Sequence, residues 1–343
     1  MGKFIVSEFL CEQRQELPVA SADISDKSIL VVGANVGLGF EASVHLAQLR
    51  PKHLLVTARD VTKCQQTIIG KDVQQRASIS AIDARPLELG SFKSVVQFVN
   101  QFEEEGFQIN ALVANAGMQT TRYSKTVDDW ETTLQVNYLS TALLSILMLP
   151  HLIETSAPQS ASRLVIVSSE LHYLANKLSG ADRWPSILDK LDDPDYCTSS
   201  IMSDRYNLSK LLEVMFVREL SSRLPASTPV AVSAVNPGFC HSRLTRSTET
   251  NPFMRLGVAT MKTLLARTTE MGSRTLVHPA VEPGEISRHG RYLSCCEPKE
   301  ESDYVISTEG REISRRLWLE TIEVLSKVDS RVQRIVDEHL RAR

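Results

Sequence analysis

Short β-branched strands alternate with helical stretches along most of this 343-residue chain. The strands are predicted at Ser28–Val32, His53–Thr57, Ala77–Ile82, Ala111–Ala114, Arg163–Val167, Val230–Val235 and Gly290–Leu293. Amphipathic helices are predicted at Phe40–Leu49, Ser91–Glu104, Trp130–Leu149 and Asn207–Leu224. Such alternation is typical of parallel strands joined by crossover helices. The sequence therefore predicts one α/β domain, a doubly wound parallel sheet of about seven strands with helices on both faces.

A glycine-rich turn follows the first predicted strand and opens a helix. Gly33 allows a sharp turn, Gly37 allows the backbone to approach a diphosphate, and Gly39 allows the helix to pack close to the strand. The first N–H groups of the helix are free to donate to an anion. The spacing is Gly-x-x-x-Gly-x-Gly, and its position between a strand and a helix favours a dinucleotide-binding turn over a plain turn.

The residues after the second strand indicate which dinucleotide is bound. An acid at this point, about twenty residues past the last glycine, accepts hydrogen bonds from an NAD ribose, whereas a basic residue favours the 2′-phosphate of NADP. Here Ala58 replaces the acid and Arg59 follows it. The sequence favours NADP(H), while Asp60 keeps NAD open.

The spacing Tyr-x-x-x-Lys occurs twice, at Tyr206/Lys210 and at Tyr173/Lys177. On a helix this spacing brings a phenol and an ammonium to one face, where the cation favours ionisation of the phenol. Gly180 soon follows Lys177 and interrupts a helix. After Tyr206, apolar residues recur at helical spacing. The sequence therefore favours Tyr206 and Lys210 as the acid/base pair.

Composition excludes several classes of function. The net charge of −3 gives no support for nucleic-acid binding. The N-terminus carries Glu8 and Glu12 and lacks a small-residue cleavage site, so no signal peptide is predicted. The most apolar stretch, Leu139–Ile153, is too short to span a bilayer. The six cysteines show no metal-ligand spacing or disulfide framework, so we expect no metal and a cytoplasmic location.

Between about Asp26 and Gly290 the chain resembles the short-chain dehydrogenase/reductase family. The family's motifs occur in order: the glycine turn, Asn115-Ala116-Gly117, Asn137, Ser168-Ser169, Tyr206 with Lys210, and Asn236-Pro237-Gly238. The chain is most similar to the retinol-dehydrogenase-like and WW-domain-oxidoreductase-like members, and it is also similar to reductases of fungal secondary metabolism. The resemblance implies a Rossmann fold.

The resemblance also implies hydride transfer between a nicotinamide and a carbonyl or alcohol carbon. Tyr206 would exchange the proton, and Lys210 would lower its pKa and bind the nicotinamide ribose. Ser169 would hold the substrate oxygen, and Asn137 would support a water-linked proton path. The implied cofactor-binding residues are Gly33, Asn35, Val36, Gly37, Leu38, Gly39, Arg59, Glu88, Leu89, Asn115, Ala116, Gly117, Tyr206, Lys210, Pro237, Gly238 and Ser242.

Four positions depart from the family pattern. Val32 replaces a usual threonine and Ala114 a usual asparagine, and both usual residues brace the sheet beside the cofactor. Glu88 stands where the family has an aspartate that meets the adenine. Ser242 replaces the threonine near the nicotinamide carboxamide and keeps its hydroxyl.

We expect residues 1–27 to form an N-terminal extension, 28–295 the Rossmann domain and 296–343 a C-terminal helical tail that includes a helix at Ile313–Leu325. Residues 170–205 are an insertion, in which His172 and Tyr173 either line the pocket or lie on a solvated surface. A substrate loop is expected at 239–275.

The substrate loop carries apolar side chains, which indicate a lipophilic guest such as a polyketide, terpenoid or retinoid-like ketone. They are Phe239, Phe253, Met254, Leu256, Val258 and Met261. Two alternatives stay open, namely reduction of a conjugated C=C bond and a non-catalytic NADP(H)-binding regulator. The family often forms dimers or tetramers, and the long tail is a feature that can alter such assembly.

Overall fold

The computed structural model describes residues 3–60, 82–175, 178, 180–241, 263, 265–282 and 288–341. Their strands form one sheet in the order β3-β2-β1-β4-β5-β6-β7-β8. The strands are β1 (Ser28–Val32), β2 (His53–Ala58), β3 (Ile82–Pro86), β4 (Ala111–Ala114), β5 (Ser162–Val167), β6 (Val230–Asn236), β7 (Arg291–Ser294) and β8 (Glu297–Lys299). Neighbouring strands β1 to β7 are parallel, and β8 pairs antiparallel with β7. The predicted fold class, a doubly wound Rossmann α/β domain, is confirmed.

The helices of the described residues are numbered here in chain order. They are α1 (Val6–Arg14), α2 (Gly37–Gln48), α3 (Phe92–Glu104), α4 (Ser140–Leu147), α5 (Leu149–Glu154), α6 (Ile187–Asp192), α7 (Ser199–Ser203), α8 (Arg205–Arg223), α9 (Thr269–Val281), α10 (Asp303–Ile306), α11 (Thr308–Val328) and α12 (Arg331–His339). Of these, α2 and α9 cover one face of the sheet, and α3, α4 and α8 cover the other. No helix of the described part of the chain is long and apolar enough to cross a membrane.

Strands buried on both faces match their predicted positions, and the edge strand does not. Every residue of β1 and β4 is buried, and their observed bounds equal the predicted ones. The third strand is predicted at Ala77–Ile82, but β3 covers Ile82–Pro86, of which Ile82 and Arg85 are buried and Asp83 and Pro86 are exposed. Its place is set by pairing with β2, where Ile82 lies opposite Leu54. Residues 61–81 lie outside the described residues.

The crossover helix α8 is buried all round, whereas the sequence predicts an amphipathic helix with one apolar stripe. The reason is the C-terminal segment, because α11 packs on the outer face of α8. The Trp318 ring stacks on Phe216 at 5.7 Å between centroids, and the Arg223 guanidinium lies over the Trp318 ring, 4.9 Å from its centre. Thr321 of α11 shares a 2.8 Å hydrogen bond with the Tyr138 hydroxyl. The predicted tail is part of the core.

The insertion after β5 also belongs to the core. Ile187, Leu188 and Leu191 are completely buried. The Glu320 carboxylate of α11 accepts hydrogen bonds from the first N–H groups of α6, at 2.7 Å from Ile187 and 2.9 Å from Leu188. A carboxylate at a helix N-terminus is a stabilising cap. The insertion is therefore held against α11 by these hydrogen bonds and is not a solvated surface segment.

Candidate active site

Gly33 ends β1 in a conformation that favours glycine. Its φ is +79°, and a Cβ at this position would stand 2.8 Å from the Cβ of Ala116. Its N–H donates to the Thr57 carbonyl of β2 at 3.1 Å. The turn is thus held against both neighbouring strands at the carboxyl edge of the sheet, where open α/β folds bind ligands.

The position beside Gly37 is open. Gly37 has a φ of +68°, and no atom lies within 4 Å of the position that its Cβ would take. Val36 is the N-cap of α2 and makes no side-chain cap hydrogen bond, so its side chain does not occupy the first N–H groups of the helix. Asn35 and Leu38 are half-buried in the same turn, and Val36 is 41% exposed.

Gly39 is needed because α2 passes very close to β1. A Cβ there would stand 2.3 Å from the Gly33 carbonyl oxygen and 2.4 Å from Asn115 Nδ2. Asn115 follows β4, and its Nδ2 donates to the Gly33 carbonyl at 2.9 Å and to the Val32 carbonyl at 3.2 Å. Asn115, Ala116 and Gly117 therefore form the second wall of the candidate dinucleotide site.

Val32 and Ala114, the two departures from the family pattern inside the sheet, lie opposite each other in the register of β1 and β4. Their side chains are 2% and 6% exposed and belong to one apolar cluster. A polar pair is therefore replaced by an apolar pair at one position of the sheet. This pairing explains why both usual residues are absent together, since either polar side chain alone would be buried without the other.

The residues expected to meet the adenosine half of the cofactor lie at the ends of β2 and β3. Arg59 is exposed and follows the buried Ala58. Glu88 is half-buried, and its Oε1 accepts a 2.9 Å hydrogen bond from the Gly90 N–H. Leu89 is buried at 4% exposure. The Glu88 carboxylate thus stabilises its own turn, and Arg59 is exposed at the end of β2.

Tyr206 and Lys210 lie on one face of α8. Lys210 Nζ is 5.5 Å from the centre of the Tyr206 ring. Nζ donates to the Val167 carbonyl at the end of β5 at 2.8 Å, and the Ser168 hydroxyl donates to the Lys210 carbonyl at 2.9 Å. These two bonds hold α8 against the end of β5, where Ser169 follows.

Ser169, unlike Ser168, has a hydroxyl that reaches the open edge of the sheet. Ser168 is 1% exposed and its hydroxyl is used by Lys210. Ser169 is half-buried and caps the 3₁₀ turn Glu170–Leu174, where its Oγ accepts from the Leu171 N–H at 3.2 Å. That bond leaves the Ser169 O–H free to donate to a substrate oxygen.

Asn137 lies in a π-helical turn, Leu134–Leu139, that interrupts the helix predicted at Trp130–Leu149. Its side chain bonds both backbone groups of Met118, at 2.8 Å and 2.9 Å, and donates to Ser209 Oγ at 2.9 Å. A Cβ on Gly117 would lie 3.4 Å from Asn137 Oδ1 and 3.6 Å from Lys210 Nζ. The side chains of Asn137 and Lys210 therefore both lie close to Gly117. Turns of this type are frequent at functional sites.

The second Tyr-x-x-x-Lys spacing has no such surroundings. Tyr173 lies in the 3₁₀ turn, and its hydroxyl donates to the Glu300 carbonyl. Lys177 lies outside the described residues. His172 is fully buried, with Nδ1 2.7 Å from the Ser169 carbonyl and Nε2 accepting from the Ser302 N–H at 3.2 Å. His172 is therefore a core residue and neither a pocket wall nor a solvated side chain.

The N-terminal helix α1 reaches the loop that follows β6, which the sequence did not indicate. Gln13 Nε2 donates to the Phe239 carbonyl at 2.8 Å and to the Leu265 carbonyl at 2.9 Å, and its Oε1 accepts from the Phe239 N–H at 3.0 Å. Gly238 has a φ of +76° and lies against Gln13, after the buried Pro237. Ser242 and the apolar residues expected in the substrate loop between 242 and 262 lie outside the described residues.

Burial dominates the acid/base properties of Tyr206. It raises the pKa of Tyr206, and the nearby Lys210 lowers that pKa by a smaller amount. The sequence-based expectation thus has the right sign for the lysine, but the net direction in the protein alone is upward. Glu213 also raises the pKa of Tyr206. This acid, three residues after Lys210, was missed by the sequence interpretation, although a single acid within an apolar helical stretch is a visible signal.

Comparison with known proteins fits this arrangement. The family model for short chain dehydrogenases matches residues 27–177. The short chain dehydrogenase/reductase dmxR8 of Cryptosporiopsis sp. (strain 8999) is 34% identical over 316 residues, covering 92% of this chain and 95% of that protein. The short chain dehydrogenase atnD of Emericella nidulans is 35% identical over 295 residues, covering 84% of this chain and 90% of that protein.

These likenesses show that the chain belongs to the short-chain dehydrogenase/reductase family, as the motifs predict, and is an oxidoreductase of that family. Its similarity extends to fungal reductases. The solved structure of an NADPH-bound carbonyl reductase from chicken fatty liver has the same fold, with a TM-score of 0.55 at 20% identity, covering 80% of this chain and 99% of that one.

Proposed function

We propose that this protein is an NADP(H)-dependent oxidoreductase that transfers a hydride between the cofactor and a carbonyl or alcohol carbon of a lipophilic small molecule. The observation that supports this most is the meeting of Tyr206, Lys210 and the end of β5 at the carboxyl edge of the sheet, next to the glycine turn. Ser169 follows directly on that strand end. A phenol, an ammonium and a hydroxyl at one point suit proton transfer to a substrate oxygen.

Each side chain has a distinct role in this proposal. The dinucleotide, when bound, supplies or accepts the hydride. Ser169 donates a hydrogen bond to the substrate oxygen, and Tyr206 gives that oxygen a proton during reduction. Lys210 stabilises the phenolate that results, and Asn137 orients the polar groups around Gly117. The turn from Gly33 to Gly39 holds the diphosphate on the N-terminus of α2.

The preference for NADP(H) rests on Arg59 and on the absence of an acid at Ala58. An exposed guanidinium at the end of β2 suits a ribose 2′-phosphate, and it has no advantage for an unphosphorylated ribose. Arg59→Leu should raise the KM for NADPH by about ten-fold or more and change the KM for NADH little, because one charge-assisted contact is worth roughly 1.5–3 kcal/mol. Equal changes for both cofactors would contradict the assignment.

The chemistry is tested with Tyr206→Phe and the matched substitution Tyr173→Phe. Purified proteins are assayed for NADPH oxidation with a panel of lipophilic ketones, and NADPH binding is measured separately by fluorescence. Tyr206→Phe should bind NADPH and lose turnover by about 100-fold or more, since the proton donor is removed. Tyr173→Phe should keep most activity because its hydroxyl bonds a backbone carbonyl. The reverse pattern would refute the proposal.

Product analysis identifies the bond that is reduced. An alcohol supports carbonyl reduction, and a saturated ketone from an enone supports C=C reduction on the same site. Tight NADPH binding without turnover across the whole panel would favour a regulatory protein. The apolar residues between 239 and 275 support a lipophilic substrate, and the likeness to fungal reductases supports a place in secondary metabolism.

A further inference from the structure

A buried acid lies directly behind the catalytic lysine. Glu213 follows Leu211 and Leu212 on α8 and precedes Val214 and Met215, and its side chain is 3% exposed. An ionised carboxylate in apolar surroundings is costly unless it is paired. Because each neighbour in sequence is a buried hydrophobic residue, packing alone would favour another apolar side chain here. The acid therefore calls for an explanation from its contacts.

Glu213 fixes the ammonium of Lys210. Nζ donates to Glu213 Oε1 at 2.8 Å and to the Val167 carbonyl at 2.8 Å, and the lysine side chain is 4% exposed. An ammonium has three N–H donors. With two of them engaged by the helix and by the strand end, the third is left for the side of the site that contains Gly117, 3.6 Å from Nζ at its Cβ position.

The second carboxylate oxygen of Glu213 is buried and has no hydrogen-bond partner among the described residues. A buried ion pair with an unsatisfied oxygen contributes little to stability compared with apolar residues of similar volume. Burial raises the pKa of Glu213 to about 7, against the opposing effect of Lys210. Burial therefore opposes ionisation of the carboxyl group, and the ammonium of Lys210 favours it.

The charges of the pair act on Tyr206 in opposite directions. Lys210 lowers the pKa of the phenol, and ionised Glu213 raises it. In return, Glu213 and Tyr206 raise the pKa of Lys210 against its burial. Among the described residues, Tyr206, Lys210 and Glu213 are the titratable groups that act on one another in this cluster.

We propose that Glu213 is a positioning residue that holds the Lys210 ammonium in place and, through it, sets the acid strength of the Tyr206 phenol. This inference rests on the proposed function, in which Tyr206 is the proton donor. When Glu213 is ionised it offsets the lysine charge, and the phenol keeps its proton for carbonyl reduction. When Glu213 is neutral the lysine charge is uncompensated, and the phenol ionises more easily.

Glu213→Gln tests the proposal because it keeps the hydrogen-bond acceptor and the volume while removing the charge. Ionisation of Tyr206 is followed by the absorbance of its phenolate, from which the signal of the other tyrosines is subtracted. In the wild-type background the spectrum of Tyr206→Phe is subtracted from that of wild type. In the Glu213→Gln background the spectrum of the double variant Glu213→Gln/Tyr206→Phe is subtracted from that of Glu213→Gln. The phenol should titrate about one pH unit lower in the Glu213→Gln background. The limb of the pH–rate profile that reports Tyr206 should move by the same amount. An unchanged phenol titration would overturn the proposal.

Glu219→Gln is the matched control. Glu219 pairs with Arg223 at 3.0 Å on the same helix, away from the active site. Its substitution should change thermal stability and leave the Tyr206 titration where it is in wild type. A shift as large as that of Glu213→Gln would mean that any loss of an acid on α8 produces the effect, and the proposal would fail.

Glu213→Asp tests the positioning role and also covers the case in which Glu213→Gln does not fold. The shorter side chain keeps the charge but withdraws the acceptor by about one methylene. We expect kcat to fall by about ten-fold with the Tyr206 titration near that of wild type. Wild-type kcat would contradict the positioning role. Because the phenol titration needs no turnover, an inactive wild type would refute the proposed function and still leave the proposal to be decided by the Glu213→Gln shift.

Discussion

Replacing Gln13 by alanine should release the N-terminal helix from the loop after β6. The substitution removes three hydrogen bonds, of 2.8, 2.9 and 3.0 Å, to Phe239 and Leu265. Each is worth about 1 kcal/mol net, which gives a total of about 3 kcal/mol. Phe239 and Leu265 are half-buried, so water recovers part of this sum. We therefore expect a local loss of about 2 kcal/mol, which corresponds to about thirty-fold more frequent opening of the contact.

Hydrogen exchange measured by mass spectrometry is the appropriate assay, since the loss is local and global unfolding need not change. Peptides that cover α1 and residues 237–241 should exchange about thirty-fold faster in Gln13→Ala, whereas peptides from β4 and β5 should be unchanged. Gln15→Ala is the control, because Gln15 is exposed and lies two residues further along the chain. Wild-type exchange around residues 237–241 in Gln13→Ala would refute the interpretation of this contact.

Two further predictions concern buried positions near the site. Val32→Thr should lower the free energy of unfolding, measured by denaturant titration, by about 1–2 kcal/mol. Adding Ala114→Asn at the position opposite should recover part of this loss. If the losses of the two single variants simply add in the double variant, the proposed pairing is contradicted. Burial lowers the pKa of His172 from 6.5 to about 4. The unfolded chain therefore binds more protons between these values, so that His172 destabilises the fold by about 2 kcal/mol at pH 5 and by little above pH 7. Burial raises the pKa of Glu170 to about 7. The effect of Glu170 on the free energy of unfolding has the opposite sign, because the cost of burying its ionised carboxylate grows as the pH rises from 4.5 through 7. His172→Gln separates the effect of the histidine from that of Glu170. Between pH 7.5 and pH 5, the free energy of unfolding of this variant should fall by about 2 kcal/mol less than that of wild type. The same dependence on pH in both proteins would contradict the lowered pKa of His172.

The parts of the fold that could be predicted are those in which local sequence and tertiary environment agree. β1 and β4 are buried on both faces, so they appear as continuous apolar runs, and their bounds follow from the sequence. The preference for Tyr206 over Tyr173 rests on a similar local basis, the apolar helical spacing after Tyr206, and its catalytic role stays a prediction. The turn at Gly33 could be predicted for a similar reason, because a positive φ at a strand end favours glycine.

The parts that could not be predicted depend on contacts between distant segments. β3 is an edge strand containing Asp83, Arg85 and Pro86, and pairing with β2 rather than its own propensity places it. Gln13 bonds residues more than 220 positions away, and no local pattern marks such a partner. Glu213 is visible in the sequence as a charge among apolar neighbours. Its pairing with Lys210, at 2.8 Å, is seen only in the structure.

The cover that α11 forms over α8 has a consequence for assembly. The outer face of the catalytic helix is closed by the chain's own Trp318, stacked on Phe216, and α12 packs on α4 beside it. A second copy of the protein has no access to these helices unless α11 is displaced, which would uncover a large apolar surface. Within one chain, α11 therefore takes the position that any other group contacting this face of α8 would have to occupy.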